Sequence, residues 1–150
     1  MKILAIDPGE TTGIAHASVD RTWQIVTPVW AQLDTYDPFA GAALLLNMLE
    51  ELRPDILVVE DFIPRTLAAN LQPMTIIHIV RWEVEGDGRY LTDRPSTLAL
   101  QQPSERSVIN DTRLKRLELY QPGMPHANDA MRHLVVKSRK LRVDDGRRTE

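Results

Sequence analysis

The sequence contains no cysteine, and only 5% of its 150 residues are aromatic. The absence of cysteine excludes disulfide bonds and thiolate metal sites, so a metal ion would need oxygen or imidazole ligands. The chain also lacks an apolar run long enough to cross a bilayer, and its N-terminus lacks a signal-peptide pattern. We therefore expect a cytoplasmic protein with no membrane partner.

The length and the ordinary apolar (43%) and charged (26%) fractions predict one globular α/β domain. We place this domain at residues 1–142 and expect the polar residues 143–150 to form a frayed tail. The charge is uneven, because residues 1–100 contain more acidic than basic side chains and residues 101–150 contain the reverse. This pattern is typical of a basic surface for phosphates, and a solvated basic tail explains it equally well.

The stretch KILAIDPGETTGIA (residues 2–15) predicts a β-hairpin with strands at residues 2–8 and 13–19. Its first apolar run has the length of a buried strand and ends at Asp7. An ionised carboxylate at such a position is costly unless it has a partner, such as a metal ion. Asp7 can also cap its own turn, as Asp often does, so this stretch alone leaves both interpretations open.

Alternating strands and helices are expected in the rest of the chain. Strands are predicted at residues 22–32, 56–61, 90–92 and 98–102. Helices are predicted at residues 38–52 and 74–85, and after residues 103, 111 and 126. The nearly unbroken apolar run at residues 56–59 is typical of a parallel strand that is covered on both faces.

This arrangement of strands and helices places acidic side chains at three positions that can lie close together. Asp7 and Glu60 end strands that we expect to be parallel neighbours, about 4.8 Å apart, so they can share one cation. In HANDA (residues 126–130), His126 and Asp129 lie on one face of a helix start, and His133 follows on that face. This oxygen-rich set suits Mg²⁺ or Mn²⁺. Each residue also has a structural explanation, such as a favourable helix dipole for Asp129.

The segments DPGETTG, VVED and HANDA, in this order, resemble the motifs of RuvC-like Holliday junction resolvases of the RNase H-like superfamily. The short form without cysteine is most similar to the versions that bacteriophages carry, and the resemblance covers nearly the whole chain. It implies an RNase H-like fold, in which a mixed five-stranded sheet of three antiparallel strands and then parallel strands is flanked by helices.

The same resemblance implies a homodimer that binds four-way DNA junctions and cuts them by paired nicks in a bacterial or infected host cell. It assigns Asp7, Glu60 and Asp129 to two Mg²⁺ or Mn²⁺ ions per active site, and it adds His126 to the catalytic set. Strand alternation places Asp61 on the face opposite Glu60, so only one of these two acids is expected at the site.

Four side chains are candidates for DNA contacts. The family places aromatic and basic residues after the strand-end Glu, where this chain has Phe62 and Arg65. Lys137 and Lys140 belong to a basic run that could neutralise backbone phosphates. The helix dipole also favours cations at a helix end, so a solvated helix end remains an alternative.

Two other functions remain open from the sequence. One is an RNase H-like nuclease that acts on RNA or on non-junction DNA. The other is an actin-like nucleotide-binding module, since these proteins also use an Asp-Gly-Thr hairpin, although the chain is too short for their two-lobed form.

The helix at residues 74–85 is expected to supply the dimer interface. Its isoleucines and Val80 give more apolar surface than one buried face requires, so we expect Ile79 to lie in the interface. Trp82 could join the side of this helix that faces the core.

Overall fold

Five strands form one mixed sheet in this computed structural model, which describes residues 1–34, 37–62, 71–86 and 97–148. The strands are β1 (Lys2–Asp7), β2 (Thr11–Val19), β3 (Ile25–Asp34), β4 (Ile56–Glu60) and β5 (Thr97–Gln101). Their order is β3-β2-β1-β4-β5, with antiparallel pairing from β1 to β3 and parallel pairing from β1 through β4 to β5. The predicted mixed sheet is therefore confirmed.

Helices cover both faces of the sheet. They are α1 (Pro38–Leu52), α2 (Gln72–Glu85), α3 (Pro103–Arg106), α4 (Asp111–Arg116) and α5 (Pro125–Arg148). Helix α1 begins as predicted, because the Asp37 side chain accepts hydrogen bonds from the backbone N–H groups of Phe39 and Ala40. None of the helices in the described ranges has the length and apolar character needed to cross a membrane.

Some boundaries differ from those predicted. Strand β3 begins at Ile25 because the Asp20 side chain accepts hydrogen bonds from the backbone N–H groups of Thr22 and Gln24 and holds a turn there. Helix α5 continues through Arg148, and its residues 142–146 are exposed, whereas the domain end at residue 142 stays a prediction. The strand predicted at residues 90–92 lies outside the described residues.

Strand β1 contributes alternate side chains to two separate cores. Ile3 and Ala5 pack in a cluster with α5, whereas Leu4 and Ile6 pack in a cluster with α1 and α2. Since successive side chains of a strand point to opposite faces, Asp7 follows Ile3 and Ala5 onto the α5 face.

The parallel strands place two further polar side chains on this face. Val58 packs in the α5 cluster, so alternation places Glu60 on the α5 side of β4. Gln101 is the partner of Glu60 in the β4–β5 register and therefore lies on the same side. Three polar side chains thus meet at the carboxyl ends of neighbouring parallel strands, where open α/β sheets place ligands.

The first turn of α5 packs directly on β2 at Gly13, which is paired with Asp7 across the β1–β2 ladder. A Cβ atom on Gly13 would lie 2.0 Å from the carbonyl oxygen of His126, so this position has no room for a side chain. From β3, the Gln32 Oε1 atom accepts hydrogen bonds from the backbone N–H groups of His126 (2.9 Å) and Ala127 (3.3 Å). Backbone contacts therefore hold the start of α5 beside the end of β1.

Helix α2 buries one face and exposes the other. Ile76, Ile77 and Val80 are buried, as expected, and Ile79 is only partly exposed. The interpretation that Trp82 joins the buried side is wrong, because its side chain is 75% exposed. Two residues after Val80, a helical side chain points about 160° away, to roughly the opposite side.

We predict that Gly13→Ala destabilises the protein, because the added Cβ forces the first turn of α5 away from β2. Overpacking of this kind lowers the free energy of unfolding by about 1–3 kcal/mol, which urea denaturation can measure. Gly146→Ala is the matched control. Apart from its chain neighbours and the backbone of its own helix, no described atom lies within 4 Å of its added Cβ, and Ala favours a helix, so this variant should be as stable as the parent or more stable. Equal stability of the Gly13→Ala variant and the parent would contradict the close contact.

Candidate functional site

Three carboxylates from three elements converge on one cationic group. Asp7 ends β1 and Glu60 ends β4, each with 8% of its surface exposed, and Asp129 lies near the start of α5, just after its first turn. The Arg106 Nη1 atom lies 3.5 Å from Asp7 Oδ1, 2.7 Å from Glu60 Oε2 and 3.0 Å from Asp129 Oδ2. The guanidinium therefore occupies the point that all three carboxylates face.

Arg106 reaches this point because α3 follows β5 after a single residue and its last residue faces the carboxyl ends of the strands. A capping box holds the short helix, since the Gln102 backbone N–H donates to the Glu105 side chain. Glu105 also pairs with Lys140, which ties α3 to α5.

The carboxyl group of Asp7 has a pKa that is raised from 3.8 to about 7. Burial is the largest cause, followed by the negative charge of Glu60 and a hydrogen bond between the two side chains. The positive charges of Arg106 and Arg132 act in the opposite direction. Further positive charge at the site would therefore favour the ionised form of Asp7.

His133 lies beneath Glu60, in the interior, with 0% of its surface exposed. Its Nε2 atom is 2.7 Å from Glu60 Oε2, and its Nδ1 atom is 2.8 Å from Gln101 Oε1. The sequence predicts only that His133 lies on the helical face of Asp129, and it does not indicate the contact with Gln101.

His126 and Asp129 lie at the outer side of the cluster. The His126 Nδ1 atom is 3.5 Å from Asp7 Oδ2, and this side chain is half exposed. Arg132 contacts both Asp129 and Asp111, so the third carboxylate is shared between two arginines. The structure therefore brings all four predicted catalytic residues together.

The remaining predicted residues lie away from the carboxylates or outside the described chain. Asp61 accepts a hydrogen bond of 2.8 Å from Gln102 Nε2, so its carboxylate is directed away from the cluster, in agreement with strand alternation. Phe62 is partly buried against the core that α1 and α2 cover. Lys137 is half-buried and Lys140 is exposed, whereas Arg65 lies outside the described residues.

Within the described ranges, no group of three or more Asp, Glu or His side chains is already arranged to hold a metal ion. The position of Arg106 explains this, because a guanidinium nitrogen lies where the carboxylates converge. The donor chemistry nevertheless fits a hard divalent cation, which prefers carboxylate oxygens. A bound cation would also favour the ionised form of Asp7, which burial and the charge of Glu60 disfavour.

Arg106, Gln101 and Gln32 are the residues of this site that the sequence interpretation missed. The only sequence signal for Arg106 and Gln101 is their position at or just after the end of a predicted strand. Gln32 carries no such signal, because its hydrogen bonds cross 94 and 95 residues of chain.

The strand order β3-β2-β1-β4-β5, with antiparallel and then parallel pairing and helices on both faces, is that of an RNase H-like fold. No protein-family model and no curated protein matches the sequence. Among solved structures, Thermus thermophilus RuvC is similar with a TM-score of 0.67 and 15% identity, over 96% of this chain and 97% of that chain.

Two resolvases from other sources show the same fold. The fowlpox virus Holliday junction resolvase has a TM-score of 0.58 and 12% identity, over 93% of this chain and 99% of its own. The yeast mitochondrial Holliday junction resolvase has a TM-score of 0.58 and 16% identity, over 91% of this chain and 75% of its own. Structures of the Thermus and fowlpox proteins also include Holliday junction DNA.

We predict that Asp7 makes the metal-free protein less stable as the pH rises from about 4 to about 7. Over this interval the folded state keeps a proton on Asp7 that the unfolded chain has lost, so the free energy of unfolding falls with rising pH. Chemical denaturation with a chelator at pH 5 and pH 8 measures this effect. Asp7→Asn should flatten the dependence, and an identical pH dependence in this variant and the parent would contradict the assignment.

Proposed function

We propose that this chain is a divalent-metal-dependent endonuclease that cleaves branched DNA, and that four-way junctions are its substrate. The observation that carries the proposal is the convergence of Asp7, Glu60 and Asp129 on a single cationic group. The fold supports it, because the similar fowlpox protein is named a Holliday junction resolvase. The Thermus and fowlpox proteins have also been solved in complex with Holliday junction DNA. On the basis of its motifs, we also propose that the chain is most similar to the resolvases that bacteriophages carry.

Asp7, Glu60 and Asp129 would hold two Mg²⁺ or Mn²⁺ ions. When bound, the metal supplies an activated water for in-line attack and stabilises the leaving 3′-oxygen. Arg106 has to turn away from the carboxylates for this, and its side chain, 31% exposed, borders solvent. There the guanidinium can pair with a DNA phosphate. His126, at the exposed side of the cluster, can hydrogen-bond the scissile phosphate or the attacking water.

Lys137 and Lys140 are proposed to contact the DNA backbone. The exposed pair of Lys140 with Glu105 contributes little stability, so a phosphate can replace this carboxylate. Arg65 remains a proposed DNA contact. Phe62 is partly buried against the core, and we propose that its accessible part contacts DNA.

We predict that Asp7→Asn and Glu60→Gln abolish cleavage and leave junction binding intact. The loss should exceed the roughly 10–100-fold effect of residues that merely support metal ligands. Four-way, flap and linear duplex DNA and an RNA–DNA hybrid are incubated with Mg²⁺ or Mn²⁺, and gel shifts are measured in parallel.

Asp61→Asn is the control, because this neighbouring carboxylate bonds to Gln102 and lies outside the cluster. It should cleave at close to the parental rate. Parental cleavage by Asp7→Asn would exclude the proposed site, and preferential cleavage of the hybrid would favour the alternative nuclease that acts on RNA.

A homodimer is proposed because a four-way junction has approximate two-fold symmetry and one chain supplies one site. Large apolar side chains are exposed on or next to α1 and α2, which pack together: Phe39, Leu44, Leu71 and Trp82. Such a concentration is typical of an interaction surface. Because Ile79 is only partly exposed and Trp82 is largely exposed, we propose Trp82 as the principal residue of the interface.

We predict that Trp82→Glu converts a dimer into a folded monomer, because a carboxylate in an apolar interface is desolvated without a partner. Analytical ultracentrifugation at micromolar concentration measures the mass. Val143→Glu is the control, since Val143 is an exposed apolar residue on a different helix, α5. A parent protein that is monomeric both alone and on a junction would contradict the dimer.

A further inference from the structure

Both ring nitrogens of the buried His133 face oxygen atoms. Nε2 faces a carboxylate oxygen of Glu60 and Nδ1 faces the amide oxygen of Gln101. A neutral imidazole has one N–H group and one lone pair, so it can donate to only one of two acceptors. In this arrangement the unprotonated nitrogen of a neutral ring would point its lone pair at an oxygen lone pair, which is repulsive.

Gln101 shows the complementary mismatch. Its side-chain Nε2 atom is buried and has no hydrogen-bond partner in the described part of the chain. The oxygen and nitrogen of a glutamine amide have nearly the same shape, so a half-turn of the amide exchanges them without other movement. The exchange places the NH₂ group against His133 Nδ1 and leaves a carbonyl lone pair unpartnered, which is less costly than a buried N–H.

We propose that Gln101 and His133 act together as positioning residues for Glu60. The Gln101 amide donates a hydrogen bond to His133 Nδ1, so the single N–H of the ring lies on Nε2. This N–H donates to Glu60 Oε2. The three side chains come from adjacent strand ends and from α5, so the rigid sheet and helix fix the orientation of the Glu60 carboxylate.

The role of His133 depends on what happens to Arg106. Arg106 Nη1 and His133 Nε2 both contact the same atom, Glu60 Oε2. Once Arg106 turns away to admit a metal ion, His133 still holds this oxygen. A neutral ring orients the carboxylate without adding a positive charge that would repel the ion. This consequence rests on the proposed metal-dependent function, whereas the hydrogen-bond arrangement does not.

Nitrogen-15 NMR of the metal-free parent protein tests the arrangement directly, since a protonated and an unprotonated ring nitrogen have distinct shifts. We expect His133 to be protonated on Nε2 alone. In Gln101→Met, which has no donor at this position, the preference for this tautomer should weaken. Protonation on Nδ1, or on both nitrogens, would overturn the proposal.

Binding of Mn²⁺, measured by calorimetry, tests the consequence. His133→Phe should weaken binding about 10–100-fold, the usual effect of removing a residue that orients a metal ligand. His133→Gln keeps a donor near the position of Nε2 and should recover part of this loss. His16→Phe is the matched control, because His16 pairs with Leu4, whose side chain lies on the opposite face of the sheet, and it should bind as the parent does.

Parental affinity in folded His133→Phe would overturn the positioning role. Failure of the parent to bind Mn²⁺ would reject the metal-dependent function. The NMR measurement would then still test the hydrogen-bond arrangement of Gln101, His133 and Glu60. If the His133 variants do not fold, the ring tautomer in the parent protein still shows whether the Gln101 amide donates a hydrogen bond to His133 Nδ1.

Discussion

The burial of two carboxylates side by side, at the ends of neighbouring parallel strands, is the constraint on which the rest of this site depends. Strands are about 4.8 Å apart, so Asp7 and Glu60 repel each other unless positive charge or protons compensate them. The protein uses both means, because Asp7 has a pKa of about 7 and the guanidinium of Arg106 contacts both side chains. Such an arrangement is costly for stability alone, which is typical of a functional site.

The third carboxylate depends on how α5 is seated on the sheet. The absence of a side chain at Gly13 allows the backbone of α5 to approach β2, and Gln32 satisfies two N–H groups at the helix start. These contacts place Asp129 beside the strand ends and bury His133 one turn later. The geometry of the site is thus fixed by backbone packing as well as by its charged groups.

Much of this site is predictable from the sequence, because regular periods determine it. The two-residue period of strands places Asp7 and Glu60 on one face and Asp61 on the other, and the helical period groups His126 with Asp129. Residues such as Arg106, Gln101 and Gln32 are not predictable in this way, since their contacts depend on tertiary packing. The inward interpretation of Trp82 departs from the helical period, which places this residue roughly opposite the buried Val80. The start of β3 was misplaced because side-chain hydrogen bonds of Asp20 override strand propensity.

We propose that a divalent cation takes the place of the Arg106 guanidinium among the three carboxylates, because carboxylate oxygens are the ligands that such a cation prefers. A crystal structure of the protein grown with Mn²⁺, with anomalous scattering data collected at the manganese edge, can locate the ion. We expect an anomalous peak between Asp7 and Glu60, with the Arg106 side chain turned toward solvent. A structure at saturating Mn²⁺ in which Arg106 still contacts all three carboxylates, with no peak among them, would contradict it.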